Sequence, residues 1–255
     1  MYPVLFTVGD VTFHAYGVMA VLAMLAAGLV VRRLSRRLGL DPGASLEVTV
    51  AAIVGGLAGA RLYWIAEHWQ EVRGELLHAV SGGAGFTWYG GLLGGIVAVL
   101  VVSRMRRLPV GIVANVMAPA VALGYAVARI GCFLAGDGTY GRPSDLPWAM
   151  AFPRGVVPTT VPVQPTALYE TLAMIAIFLV LYRMARRPQP SWYVFGWFLV
   201  LSGAERFAIE FLRVNSPWLL GLTPPQWFAI SGVLIGLTTL MVTRARGAER
   251  LKITA

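Results

Sequence analysis

Three arginines stand apart from the other basic residues of this chain: Arg61, Arg129 and Arg206. Of the 21 Lys and Arg residues, 14 sit in four blocks, within Arg32–Arg37, Arg104–Arg107, Arg183–Arg187 and Arg244–Lys252. Arg73, Arg142, Arg154 and Arg213 fall on the opposite side of the apolar runs, and the remaining three lie at or near the ends of such runs. A guanidinium at that depth is costly unless a polar or anionic group meets it. Several converging at one depth suit a phosphate, whose oxygens accept paired N–H bonds from arginine. The plainer reading is local pairing with carboxylates, as for Arg206 and Glu210 at i,i+4.

Arg129 also opens the stretch Arg129-Ile130-Gly131-Cys132-Phe133-Leu134-Ala135-Gly136-Asp137-Gly138-Thr139-Tyr140-Gly141. Its glycines permit sharp turns and close approach to a ligand, and Asp137 places a carboxylate beside a candidate anion site. Alone, the stretch reads equally well as a glycine-rich turn closing a helix beside a snorkelling arginine.

The elements that position these residues are membrane spans. The chain has 255 residues, 57% hydrophobic and 13% charged, with mean hydropathy +0.69. Soluble domains carry about 25% charged residues. The length suits one bundle of about seven spans of roughly 20 residues each. The net charge of +9 is concentrated between apolar runs, a pattern that fits topology and anionic lipid and not nucleic acid. Cys132 is the one cysteine, which excludes an intrachain disulfide and a cysteine metal cluster. No Lys or Arg precedes the first apolar run, so no cleavable signal is expected.

The expected spans are Phe13–Val31, Leu46–Ala66, Phe86–Val102, Gly111–Ile130, Thr166–Tyr182, Trp192–Leu212 and Gln226–Val242. Ser45 is a candidate cap for span two. The Gly55-Gly56-Leu57-Ala58-Gly59-Ala60 face of that span suits close helix contact. Asn115 and Pro119 inside span four predict a bend or a buried polar contact. Glu205, Arg206 and Glu210 are too much charge for a passive lipid-facing span six. Residues 132–165, rich in proline, form the long excursion, with Trp148 and Phe152 expected at headgroup level. The fold class is thus an all-α polytopic membrane protein: seven transmembrane helices with an extracytoplasmic cap, in one membrane domain over residues 1–255. The basic blocks place the C terminus in the cytoplasm and the N terminus and excursion outside.

The chain resembles the bacterial prolipoprotein diacylglyceryl transferase family along nearly its whole length. The elements that carry the resemblance occur in family order. They are Tyr16-Gly17, Gly59-Ala60-Arg61-Leu62-Tyr63, Tyr89-Gly90-Gly91 and the Arg129–Gly141 stretch. Then come Leu146–Pro153, Gln164–Glu170, Glu205–Arg213 and Gln226. The resemblance implies a cytoplasmic-membrane enzyme that moves the diacylglyceryl group of phosphatidylglycerol to the lipobox cysteine of a prolipoprotein. Glycerol phosphate is the other product. It implies no metal and no cofactor, and a monomer is expected. Tyr89 stands where some members have histidine, Cys132 and Ala135 where asparagine is frequent, and Gly138–Gly141 runs one residue longer than the asparagine type.

In that reaction Arg129 and Arg206 are the first candidates to grip the phosphate and to favour a thiolate in the incoming peptide. Arg61 and Arg213 support them. Asn115, Tyr16, Tyr169 and Gln226 are placed to orient headgroup oxygens, with Gly141 in the lipid-binding set. Glu170, Glu205 and Glu210 hold the arginines, or simply pair with them. Asp137 and His14 are alternative proton acceptors; Tyr16 and Tyr89 complete the catalytic candidates. Cys132 is not expected to act as nucleophile, because the thiol that reacts belongs to the substrate. The rival readings are a transporter or scramblase, which predicts internal repeats, a non-enzymatic scaffold, and a related transferase with a different thiol acceptor. Labelled-lipid transfer to a lipobox peptide separates all three from the transferase.

Overall fold

The computed structural model describes residues 2–75, 80 and 87–253. The chain begins with an antiparallel hairpin, β1 (Val4–Val8) and β2 (Val11–His14). Then follow α1 (Ala15–Arg37), α2 (Pro42–Glu67), the short α3 (Trp69–Val72), α4 (Trp88–Met105) and α5 (Val110–Ala135). A second antiparallel pair, β3 (Met150–Phe152) and β4 (Thr159–Val163), precedes α6 (Thr166–Ala185), α7 (Tyr193–Glu210) and α8 (Pro224–Ile253). Phe86, the expected start of span three, and residues 76–79 and 81–85 of the preceding polar stretch lie outside the described residues.

Among the described residues, six helices are long and apolar enough to cross a membrane: α1, α2, α4, α5, α6 and the Pro224–Ala245 part of α8. The protein is therefore an all-α polytopic membrane protein, with two small hairpins added. α7 is 18 residues long but carries Glu205, Arg206 and Glu210, so apolarity alone does not mark it as a span. The strands of the two hairpins are only three to five residues long. Stacking of Phe6 on Phe13, with centroids 4.7 Å apart, joins the strands of the first.

Contacts divide the chain into two units, Val31–Val113 and the remainder, Met1–Val30 with Ala114–Ala255. The first of these is built on α2 against α4. A Cβ at Gly59 would run into the Gly90 carbonyl, and one at Gly55 would sit 2.8 Å from the Gly94 carbonyl. The small-residue face of span two thus lets two backbones meet. Asp41, not Ser45, caps α2: its Oδ1 accepts from Gly43 N–H at 2.8 Å with Pro42 starting the helix, while the Ser45 hydroxyl donates to the Asp41 carbonyl at 2.9 Å.

The other unit contains the start of α1 and nearly all of α5, with α6, α7 and α8. α5 buries half of its apolar window, more than any other span, and small residues such as Ala118, Ala122 and Ala126 face inward. At Gly131 α5 meets α1, where a Cβ would lie 3.3 Å from the Tyr16 Cα. α5 continues to Ala135, beyond the expected end of span four, so Arg129 and Cys132 are helical residues one or two turns from its C terminus. Gly136, with φ +59°, then turns the chain out of the helix. Phe152 is buried, not interfacial as expected, and packs against Phe133 and Tyr140. Trp148 is exposed and donates to the Tyr169 hydroxyl at 2.7 Å.

Candidate active site

Chain direction brings one end of each helix of the larger unit to the same place. α5 arrives with Arg129 near its C terminus, α6 leaves with Glu170 in its second turn, α7 arrives with Arg206 and Glu210, and α8 leaves with Gln226. The dipoles favour the arginines toward helix C termini and Glu170 near an N terminus, while Glu210, the last residue of α7, sits against its helix dipole and is held by its hydrogen bonds. Arg129 and Arg206 are therefore in positions that their own helices support.

Glu170 is the centre of the cluster and is fully buried. Its Oε1 accepts from Arg206 Nη1 at 2.9 Å, and its Oε2 pairs with Arg129 Nε. Arg213 Nη1 stands 3.8 Å from Oε1. Glu210, also buried, accepts from Arg206 Nη2 at 2.8 Å through Oε2. Its Oε1 accepts from Asn215 Nδ2 at 2.5 Å and from the Thr223 hydroxyl at 2.9 Å. Gln226 joins through Thr223, whose N–H donates to the Gln226 Oε1 at 2.9 Å. Buried carboxylates held this fully are fixed platforms for the guanidinium groups.

Three arginines face two buried carboxylates here, with Glu170 Oε2 held by an ion pair and no hydrogen bond among the described residues. Without Glu205 this set has one positive charge in excess; an ionised Glu205, whose Oε1 is buried without a hydrogen bond, would balance it. Arg213 lies beyond α7, and burial, followed by the neighbouring Arg206 charge, lowers its pKa from the usual guanidinium range. Its Nε and Nη1 are buried, lie 3.9 Å from Glu210 Oε2 and 3.8 Å from Glu170 Oε1 respectively, and make no hydrogen bond among the described residues. A phosphate oxygen has the charge and lone pairs that such donors lack.

A second group of candidates gathers around Arg129. Its Nη1 lies 3.7 Å from the Cys132 Sγ. Tyr16, Cys132, Asp137 and Arg129 are within electrostatic reach of one another. Asp137 also organises its own turn, its Oδ1 accepting from Thr139 N–H at 3.1 Å and from the Thr139 hydroxyl at 2.7 Å. Gly141 lies against the same end of α7: its N–H donates to the Gln164 carbonyl at 2.8 Å, and a Cβ there would be 2.5 Å from the Leu212 carbonyl. The adjacent Arg142 N–H donates to Leu212 and its Nε to the Arg213 carbonyl. The glycine-rich stretch is thereby tied to the loop that carries Arg213.

Asn115 is near the start of α5, about 21 Å along the helix from Arg129. It donates to the Pro190 carbonyl at 2.7 Å and accepts from Val194 and Phe195 N–H at 2.9 and 3.2 Å. It caps α7 at the end remote from the carboxylates. His14 is exposed on β2. Arg61 and Tyr89 belong to the other unit, Arg61 buried with its guanidinium carbon 4.8 Å from the Trp64 ring centroid and Tyr89 exposed beside Trp88.

Tyr125, Asn215 and Thr223 have no place in the sequence reading but join the cluster. Tyr125 OH accepts from Arg129 Nε at 3.0 Å. Its signal was the four-residue spacing to Arg129; Asn215 and Thr223 carry none, because their contacts depend on the loop between α7 and α8. Among the described residues no group of three His, Cys, Asp or Glu side chains is arranged to hold a metal ion.

Comparison with known proteins places this arrangement. The family model described as prolipoprotein diacylglyceryl transferase matches residues 3–242. A phosphatidylglycerol–prolipoprotein diacylglyceryl transferase from Geobacter sulfurreducens is 34% identical over 96% of this chain and 96% of its own. Enzymes of the same name from Clostridium tetani and Bordetella bronchiseptica are 29% and 32% identical, covering 96% and 94% of this chain and 99% and 95% of theirs. A match across both the spans and the polar cluster has one meaning: the chain belongs to the prolipoprotein diacylglyceryl transferase family.

Proposed function

We propose that this chain transfers the diacylglyceryl group of phosphatidylglycerol to the lipobox cysteine thiol of a prolipoprotein, with its arginine–carboxylate cluster holding the lipid phosphate. The observation that carries the reading is the sharing of buried Glu170 by Arg129 and Arg206 at converging helix ends. The substrate sulfur forms a bond to glycerol C3 as the C3–O bond to phosphate breaks. The electron pair leaves with glycerol phosphate, and the thiol gives up its proton. Arg129 and Arg206 meet the charge that grows on the phosphate, with Arg213 behind them. Asp137 and Tyr16, within electrostatic reach of Arg129, take the proton-handling role. Gln226 and Glu210 act through the guanidinium they fix, and Gly141 by letting the stretch approach Leu212.

The finer topology belongs to the same proposal. α7 serves as a seventh span whose charged face is turned to the cluster. The basic blocks end α1, α4, α6 and α8, which puts those ends in the cytoplasm and the 136–165 segment outside as a cap. The membrane is the bacterial cytoplasmic membrane. The test is incubation of purified protein with labelled phosphatidylglycerol and a synthetic lipobox peptide. A thioether-linked diacylglyceryl peptide and free glycerol phosphate are expected, and no transfer by folded protein would overturn the reading.

A further inference from the structure

We infer that Tyr125 is a positioning residue for the transfer: its hydroxyl holds Arg129 Nε and stops the guanidinium from closing as a two-point pair on Glu170, leaving an Nη edge for the phosphate. This rests on the reading that Arg129 binds the lipid phosphate. Tyr125 is one turn before Arg129 on α5, with the hydroxyl 3.0 Å from Nε and the ring centroid 5.1 Å from the guanidinium carbon. A planar guanidinium beside a carboxylate favours two parallel N–H···O bonds. Glu170 has a second claimant for such a pair, since its Oε1 already takes Arg206 at 2.9 Å. Were Arg129 to take both oxygens, it would displace Arg206 and spend its charge on the protein.

The phenol prevents this in a way that a carboxylate could not. It is a neutral acceptor, so it fixes Nε without cancelling the positive charge. Nε then faces Tyr125 and Glu170 Oε2 together, and Nη1 lies 3.7 Å from Cys132 Sγ. Nη2 makes no hydrogen bond among the described residues, which leaves that donor edge to an oxyanion.

The experiment is a double-mutant cycle of Tyr125→Phe and Arg129→Lys, with initial rates measured against phosphatidylglycerol concentration and melting temperature as the fold control. Tyr125→Phe should lower the saturating rate about 10-fold, the size of one hydrogen bond to a charged group, with melting close to wild type. Lysine has no Nε–H at that position, so Tyr125→Phe should cost nothing further in the Arg129→Lys background. Losses that multiply independently, or a wild-type saturating rate in Tyr125→Phe, would overturn the positioning role. A wild-type rate in Arg129→Lys alone would instead remove the phosphate-binding reading beneath it. Tyr125→His, assayed at about pH 8 where an ordinary imidazole is a neutral acceptor, should recover part of the rate. A folded histidine variant as slow as Tyr125→Leu would also overturn the role, even if Tyr125→Phe does not fold.

Discussion

Glu170 Oε1 accepts a hydrogen bond from Arg206 Nη1 at 2.9 Å, between two helices, with the carboxylate fully buried. The same carboxylate pairs with Arg129 through its other oxygen. Removing it leaves partly buried guanidinium groups without their common counter-charge, and breaking a fully buried pair from one side costs about 3–5 kcal/mol, an upper bound here. Glu170→Gln should therefore lower the melting temperature of the purified protein sharply and reduce transfer at least 100-fold. A variant that melts and reacts like wild type would show that the shared carboxylate does not organise the site.

Gly141 offers a steric test of how the glycine-rich stretch reaches the cluster. A Cβ there would lie 2.5 Å from the Leu212 carbonyl and 2.8 Å from Thr166 Cγ2. Gly141→Ala should cost about 1–3 kcal/mol, the usual range for overpacking, and should disturb transfer because Arg142 and Arg213 move with the displaced backbone. Thermal melting together with saturating rate checks both effects.

Asn115 separates stability from catalysis. Its side chain makes three hydrogen bonds at the far end of α7. Asn115→Ala should cost about 2 kcal/mol through the lost cap and unpaired backbone groups. At a temperature where the variant stays folded, its KM for phosphatidylglycerol should match wild type. A several-fold rise in KM with normal melting would return Asn115 to the lipid site.

Cys132 is buried 3.7 Å from Arg129 Nη1, yet the reacting thiol belongs to the peptide. Cys132→Ala should retain most of the transfer rate. A folded variant slower by more than about 100-fold, or roughly 2.7 kcal/mol of barrier, would give this thiol a direct part in the chemistry.

These residues also show what the sequence made legible. Arg129 and Arg206 stood out because a charge near the end of an apolar run has to be compensated, and Glu210 lay one helical turn from Arg206. Asn115 was recognisable as a buried polar group, but not as a cap, because its partners Pro190, Val194 and Phe195 are some 75–80 residues away. Tyr125 was hidden inside an apolar run, where an aromatic reads as core. The β1–β2 hairpin was hidden by its size: its strands, of five and four residues, are too short for a two-residue period to stand out, although Val11-Thr12-Phe13-His14 alternates. α7 was legible as an unusual helix, since Glu205, Arg206 and Glu210 interrupt an otherwise apolar run.

Orientation has its own test. The proposed orientation, with the basic blocks at the ends of α1, α4, α6 and α8 facing the cytoplasm, predicts a cytoplasmic C terminus. A C-terminal reporter active only outside the cytoplasmic membrane should be silent, and strong activity would reverse the topology.

The central claim is that Arg129 and Arg206 grip the phosphate more tightly as charge develops on it. Lysine keeps the charge but lacks the planar paired donors that meet Glu170, Glu210 and a phosphate together. The direct measurement is the saturating transfer rate of folded Arg129→Lys and Arg206→Lys against phosphatidylglycerol concentration. Each should fall at least 10-fold, about 1.4 kcal/mol, and excess lipid should not restore it. Wild-type saturating rates in both variants would contradict the account.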